Sequence, residues 1–182
     1  MTDFLADTTN LPARTPDVLR SLLTGLPEDW TDTPDTTDGW RPREVVGHLI
    51  TAEQTDWMGR TRRILDRDTS LEFDRFDRFA MLNRDAGVPL NDLVERFATL
   101  RTANLVALRD LVSDADLDRR GLHPSLGEVT LRELLATWAV HDLDHVSQIY
   151  AGMAGSRDAA VGPWKAYLGI LLRRDDPSGV PG

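Results

Sequence analysis

The chain of 182 residues contains no cysteine. Disulfides are therefore excluded, and so are thiolate metal ligands and a cysteine nucleophile. Lysine is almost absent as well, Lys165 being the single one. Acids outnumber bases, 30 to 21, for a formal net charge of −9. No nucleic-acid partner is expected from that balance, because such binders draw most of their affinity from Lys and Arg set against phosphates. The one arginine cluster, Arg60, Arg62, Arg63 and Arg67, is interleaved with Asp56, Asp66 and Asp68 and reads as a solvated helix face. No run of about 18 apolar residues occurs, so no membrane span is expected. The acidic start, Met1 to Asp7, lacks the basic-then-apolar pattern of a secretory signal. Together these absences suit a cytoplasmic protein.

What the sequence does have is helical periodicity. Its length suits one domain, residues 1–182. The ends read as loose: Thr8 to Pro16 is rich in Thr and Pro, and Asp175 to Gly182 in Asp, Pro and Gly. A first helix is expected over Pro16 to Leu26, burying Val18, Leu19, Leu22, Leu23 and Leu26. A second, opened by Pro42 in its first turn, runs to about Asp66 on a stripe that includes Val45, Leu49, Ala52, Ile64 and Leu65. Arg67 to Pro89 reads as a long crossover anchored by Phe73, Phe76 and Phe79. A third helix, Asn91 to Ser113, turns Leu93, Val94, Phe97, Leu100, Leu105, Leu108 and Leu111 inward. Asp114 to Val129 reads as a loop. Thr130 and Glu133 form a Thr-x-x-Glu capping signature in front of a fourth helix to about Met153. A short helix over Pro163 to Arg173 follows. The fold class is all-α: a four-helix bundle with a long crossover and a short C-terminal helix.

Four histidines are present. In the fourth helix Leu134, Trp138, His141, His145, Gln148 and Gly152 share one stripe, and the first two mark it as core-facing. His141 and His145 thus stand where a bundle normally has leucine. At i and i+4 their imidazoles can converge on one metal ion. Without one, their buried polar atoms would lack partners. His48 lies at the edge of the second helix's apolar stripe, where a neighbouring helix could present it to the same point. Three histidines with no carboxylate would leave ligand positions open to water, as in catalytic sites. Position 142 is Asp, so the His-Glu-x-x-His signature of zinc proteases is missing. Asp144 and Gln148 are candidates for orienting a ligand or a water, although Asp142 and Asp144 read more readily as solvent-facing acids. His123, in the loop before Pro124, reads more readily as a loop-ordering residue than as one pointing into the site.

Two segments then resemble a known family. Gly39-Trp40-Arg41-Pro42-Arg43-Glu44-Val45-Val46-Gly47-His48-Leu49 is similar to the first motif of the DinB/YfiT-like superfamily. Leu131 to Trp138, followed by Val140-His141-Asp142-Leu143-Asp144-His145-Val146-Ser147-Gln148-Ile149, is similar to its last. The resemblance spans about Leu19 to Gly152. It implies a four-helix bundle and a three-histidine site for a divalent ion, zinc or nickel first, on His48, His141 and His145. It also implies kinship with thiol-dependent S-transferases and mycothiol-dependent maleylpyruvate isomerases.

The functional expectation is therefore a metal-dependent enzyme acting on a small molecule with an external low-molecular-weight thiol. The alternatives are a metallohydrolase using water activated by the ion, or a non-catalytic metal-binding stress or interaction protein. Imidazole ligands suit several ions. A homodimer is compatible with a bundle of this kind.

Overall fold

The computed structural model describes residues 4–66 and 72–175. Four helical segments bury their apolar stripes against one another: α1 (Phe4–Leu23), α2 (Pro42–Thr55) continued by α3 (Trp57–Leu65), α5 (Leu90–Leu111) and α6 (Leu131–Gly155). A short α4 (Ala80–Arg84) lies in the crossover between α3 and α5. Both α5 and α6 pack against α1 and against α2. The order around the bundle is therefore α1, α5, α2, α6, so that α1 faces α2 and α5 faces α6 across the diagonals, while α2 and α5 are neighbours. Among the described residues no helix is long and apolar enough to cross a membrane.

The core has two apolar halves. One gathers Leu19, Leu23, Val46, Leu49, Ile50, Leu93, Phe97 and Ile149, and the other Ala52, Trp57, Ile64, Leu105, Leu108, Leu131, Leu135 and Trp138. Between them along the helices lies a layer of buried polar side chains: Thr15, Glu53, Arg101 and Asp142. Arg101 is 1% exposed. Its Nη2 donates to Asp142 Oδ1 at 2.8 Å and its Nε to Glu53 Oε1 at 2.9 Å. Thr15 Oγ1 donates to Asp142 Oδ2, Trp138 Nε1 to Glu53 Oε1, and Asn104 Nδ2 to Glu53 Oε2. One cation thus ties the carboxylates of α2 and α6 together from the middle of α5.

Several boundaries differ from those expected. The stretch from Thr8 to Pro16 is helical, with Pro12 and Pro16 inside α1. Pro16 has no N–H for the carbonyl of Pro12. Arg101 Nη1 donates to that carbonyl at 2.7 Å and replaces the missing bond. The second helix breaks at Asp56, whose φ of −105° and ψ of −75° depart from helical values. Its carboxylate, turned inward, pairs with Arg60. Val18, Leu26 and Leu111, expected in the core, are exposed.

The expected loop before α6 contains a hairpin, β1 (Arg120–His123) antiparallel to β2 (Gly127–Thr130), with Gly127 at φ 77°. Phe73 N–H donates to the Leu122 carbonyl at 2.9 Å, and the buried Phe73 ring anchors the crossover. Gly121 makes this fit: a Cβ there would lie 2.5 Å from Phe73 Cζ. Phe79 is exposed and does not serve as an anchor. The Thr130 capping box forms, with Glu133 N–H donating to Thr130 Oγ1 and Thr130 N–H to Glu133 Oε2. The C-terminal helix is divided into α7 (Asp158–Val161), a 3-10 turn (Gly162–Tyr167) and α8 (Gly169–Asp175). The expectations for Arg67, Asp68 and the tail beyond Asp175 fall outside the described residues.

Candidate metal centre

His48 on α2 and His141 and His145 on α6 meet at the level of the polar layer. Leu134 and Trp138 hold that face of α6 inward, and the i, i+4 spacing sets the two imidazoles side by side. His48 Nε2 lies 3.3 Å from His141 Nε2, and His145 Nε2 lies 3.1 Å from it. Nitrogens at about 2.0–2.1 Å from one tetrahedral ion are about 3.3 Å apart. The three side chains could together hold a metal ion.

The opposite ring nitrogens decide which atoms are available. His145 Nδ1–H donates to Gln148 Oε1 at 2.8 Å, which turns the His145 Nε2 lone pair toward the cluster. His48 Nδ1 faces the Arg78 carbonyl at 3.5 Å. His141 Nδ1 is buried without a partner. Burial, reinforced by the neighbouring histidines, pushes the His48 pKa down to about 3 and the His141 pKa down to about 2. Burial lowers that of His145 too, against the pull of Gln148, Asp144 and Asp142. All three rings are therefore neutral near pH 7, and their lone pairs converge with too few protons to join them. That donor set fits a divalent cation.

Aromatic rings fix the imidazoles. Trp40 lies 4.8 Å from His48 between ring centroids, and Phe76 meets His48 edge-on at 5.3 Å. Trp57 meets His141 edge-on at 5.1 Å and stacks on Trp138 at 5.5 Å. The three nitrogens face a cavity of about 470 Å³ bounded by Trp40, Trp57, Phe73, Phe76, the hairpin and the start of α6.

The other expected residues divide. Gln148 contacts a ring of the cluster. Asp144 is exposed on α6 and reaches the site only through its charge. Asp142, read as solvent-facing, is instead buried and bound by Arg101 and Thr15. His123 lines the cavity outside the three-nitrogen cluster, and its Nδ1 accepts the N–H groups of Ser125 and Leu126, ordering the hairpin tip. Arg78 and the aromatic wall were not foreseen. Neither was the Glu53–Arg101–Asp142 network, whose signal was a charge at one inward position on each of α2, α5 and α6.

The DinB superfamily profile matches residues 13–149, a span that contains all three histidines. A Bacillus licheniformis protein provisionally named a metal-dependent hydrolase is 33% identical over 141 residues, covering 75% of this chain and 77% of the relative. A Bacillus cereus protein of the same provisional name is 24% identical over 136 residues, covering 74% of this chain and 76% of the relative. The solved structure of YfiT from Bacillus subtilis, described as a probable metal-dependent hydrolase with an unusual four-helix bundle topology, superposes with a TM-score of 0.70 at 18% identity, covering 86% of this chain and 87% of YfiT. The chain belongs to the DinB superfamily.

Proposed function

We propose that this protein is a metal-dependent enzyme that activates a small nucleophile at an ion held by Nε2 of His48, His141 and His145. The observation that carries this reading is the meeting of three neutral imidazole nitrogens, 3.1–3.3 Å apart along the chain of contacts, at the wall of a cavity. A divalent ion bound there, zinc or nickel first, supplies Lewis acidity and lowers the pKa of a thiol or a water that reaches it. Gln148 orients His145, Trp57 and Trp138 brace His141, and the aromatic wall limits bulk water.

The nucleophile we favour is an external low-molecular-weight thiol, transferred to a small electrophile. Among the described residues the cavity carries no uncommitted carboxylate to serve as a general base: Asp56 is paired with Arg60, and Glu133 is held by the cap of α6. A thiolate, once formed, needs none. Hydrolysis by activated water is the second reading, and the provisional names of the Bacillus relatives favour it.

Metal analysis of natively purified protein, repeated on His48→Ala, His141→Ala and His145→Ala, tests the ligand set. One ion per chain is expected, lost in each variant; undiminished metal in His48→Ala would overturn it. Titrating reduced thiols into the loaded protein, alongside an ester and amide panel assayed with and without chelator, separates the two nucleophiles. Thiol-dependent heat that vanishes in His141→Ala supports transfer. Chelator-sensitive ester or amide turnover without thiol supports hydrolysis.

A further inference from the structure

We propose that the cavity takes a small organic anion, a carboxylate on an apolar or aromatic body, and that Arg78 reads its charge. This rests on the metal-site reading above and names the substrate class that site would serve.

The charges on the cavity wall are few and mostly committed. Asp56 and Arg60 neutralise each other, and Glu133 accepts from the backbone N–H and hydroxyl of Thr130. Arg78 is different: among the described residues its guanidinium has no carboxylate partner. That guanidinium lies 5.1 Å from the Trp40 ring centroid and 5.4 Å from that of Phe79. These two rings, at 88° to each other, flank the guanidinium, and with no carboxylate partner its N–H groups can serve a planar, two-oxygen acceptor. The Trp40 ring that the guanidinium lies over is 4.8 Å from the His48 ring between centroids, which places the charge near the nitrogen cluster.

The rest of the wall suits an apolar body. Trp57, Phe73 and Leu134 are nearly buried and give their remaining surface to the cavity, and Phe76 closes it beside His48. A cation would be repelled both by Arg78 and by an ion on the imidazoles. A neutral molecule would gain nothing from the Arg78 charge.

The test is isothermal titration of 3-phenylpropanoate and of its neutral amide into the zinc-loaded full chain, into Arg78→Met and into Arg78→Lys. The acid is expected to bind about tenfold or more tightly than the amide. Arg78→Met should abolish that preference with the amide's affinity unchanged, and Arg78→Lys should keep part of it, since the charge remains but the fork is lost. Equal binding of acid and amide overturns the proposal. So does a preference undiminished in Arg78→Met, which would mean that the carboxylate sits on the ion, and so does no binding of either ligand. Zinc stoichiometry is measured on the same samples. One zinc per chain with no acid preference overturns the anion reading alone. Absence of zinc uptake overturns the metal reading, and the acid–amide comparison on the ion-free chain then decides the role of Arg78.

Discussion

His145 Nδ1–H donates to Oε1 of Gln148, three residues farther along α6, at 2.8 Å. The bond fixes the ring's tautomer and its angle, so the Nε2 lone pair is aimed before any ion arrives. Gln148→Ala should weaken zinc binding about 10- to 100-fold. Its circular dichroism spectrum and urea midpoint in chelator should stay near those of the parent. Gln148→Glu keeps an acceptor and should retain tight binding. Competition against a chromogenic chelator measures both; unchanged affinity in Gln148→Ala would reduce this residue to packing.

The depressed histidine pKa values make an equally direct prediction for the ion-free chain. An unfolded histidine titrates at about 6.5, whereas folded His48 is held at about 3 and His141 at about 2. Between those values the unfolded state binds more protons, so stability is full above about pH 6.5 and falls as pH drops toward the folded values. The slope is roughly 1.4 kcal/mol per pH unit for each such histidine. The raised pKa values of Glu53 and Asp56, buried carboxyls, act in the opposite direction and make the slope shallower. Urea midpoints in chelator should decline steadily from pH 7.5 to pH 5.5; a flat profile would contradict the neutral, buried state of the rings.

Metal addition should act on the same equilibrium from the other side. Zinc at about 100 times its Kd stabilises by about 2.7 kcal/mol, which in a chain of this size raises Tm by about 5–10 °C at pH 7.5. The gain should shrink on acidification, because protons compete for the same nitrogens. Calorimetry of the loaded and chelated protein across pH reads this directly. A Tm gain that survives in His141→Ala would show that zinc acts elsewhere.

What the sequence made legible follows from how local each signal is. The second and third helices and α6, with its cap at Thr130, announce themselves through apolar spacing and a capping pair. His141 and His145 stand out because they interrupt a stripe begun by Leu134 and Trp138. His48 was reached through the family motif, since an edge position on α2 says nothing about what faces it. The hairpin stayed hidden because each strand has only four residues and Gly121 alone among them is buried. The N-terminal half of α1 stayed hidden because Pro12 and Pro16 ordinarily stop a helix, and the donor that repairs it, Arg101, lies 89 residues away.

Arg101 is where that long-range repair meets the site. Arg101→Met leaves the Glu53 and Asp142 carboxylates buried without their cation and the Pro12 carbonyl without its donor. Loss of one partner from a buried ionic group costs about 3–5 kcal/mol. Combining Arg101→Met with Glu53→Gln and Asp142→Asn removes the stranded charges and should recover a large part of that loss. Urea denaturation of the single and triple variants in chelator checks both statements. A cost below about 1 kcal/mol for the single change would mean that water reaches this layer.

Gly152 tests how α6 holds the segment that carries Trp40. A Cβ at this position would lie 2.7 Å from the Thr33 carbonyl oxygen and 3.3 Å from Pro42 Cδ, so backbone rather than a flexible side chain must yield. Gly152→Ala should therefore destabilise the chain by about 1–3 kcal/mol, against the helix-propensity gain of up to about 1 kcal/mol that alanine brings. The displacement falls on residues leading to Trp40, which stands 4.8 Å from His48 and bounds the cavity. Tryptophan fluorescence and zinc affinity should change together with the urea midpoint. Gly59 supplies the control, since a Cβ there meets nothing within 4 Å. Gly59→Ala should leave zinc affinity and fluorescence unchanged and, inside α3, should hold or raise stability. If both substitutions stabilise alike, the Thr33 segment gives way freely and the close approach at Gly152 does not fix Trp40.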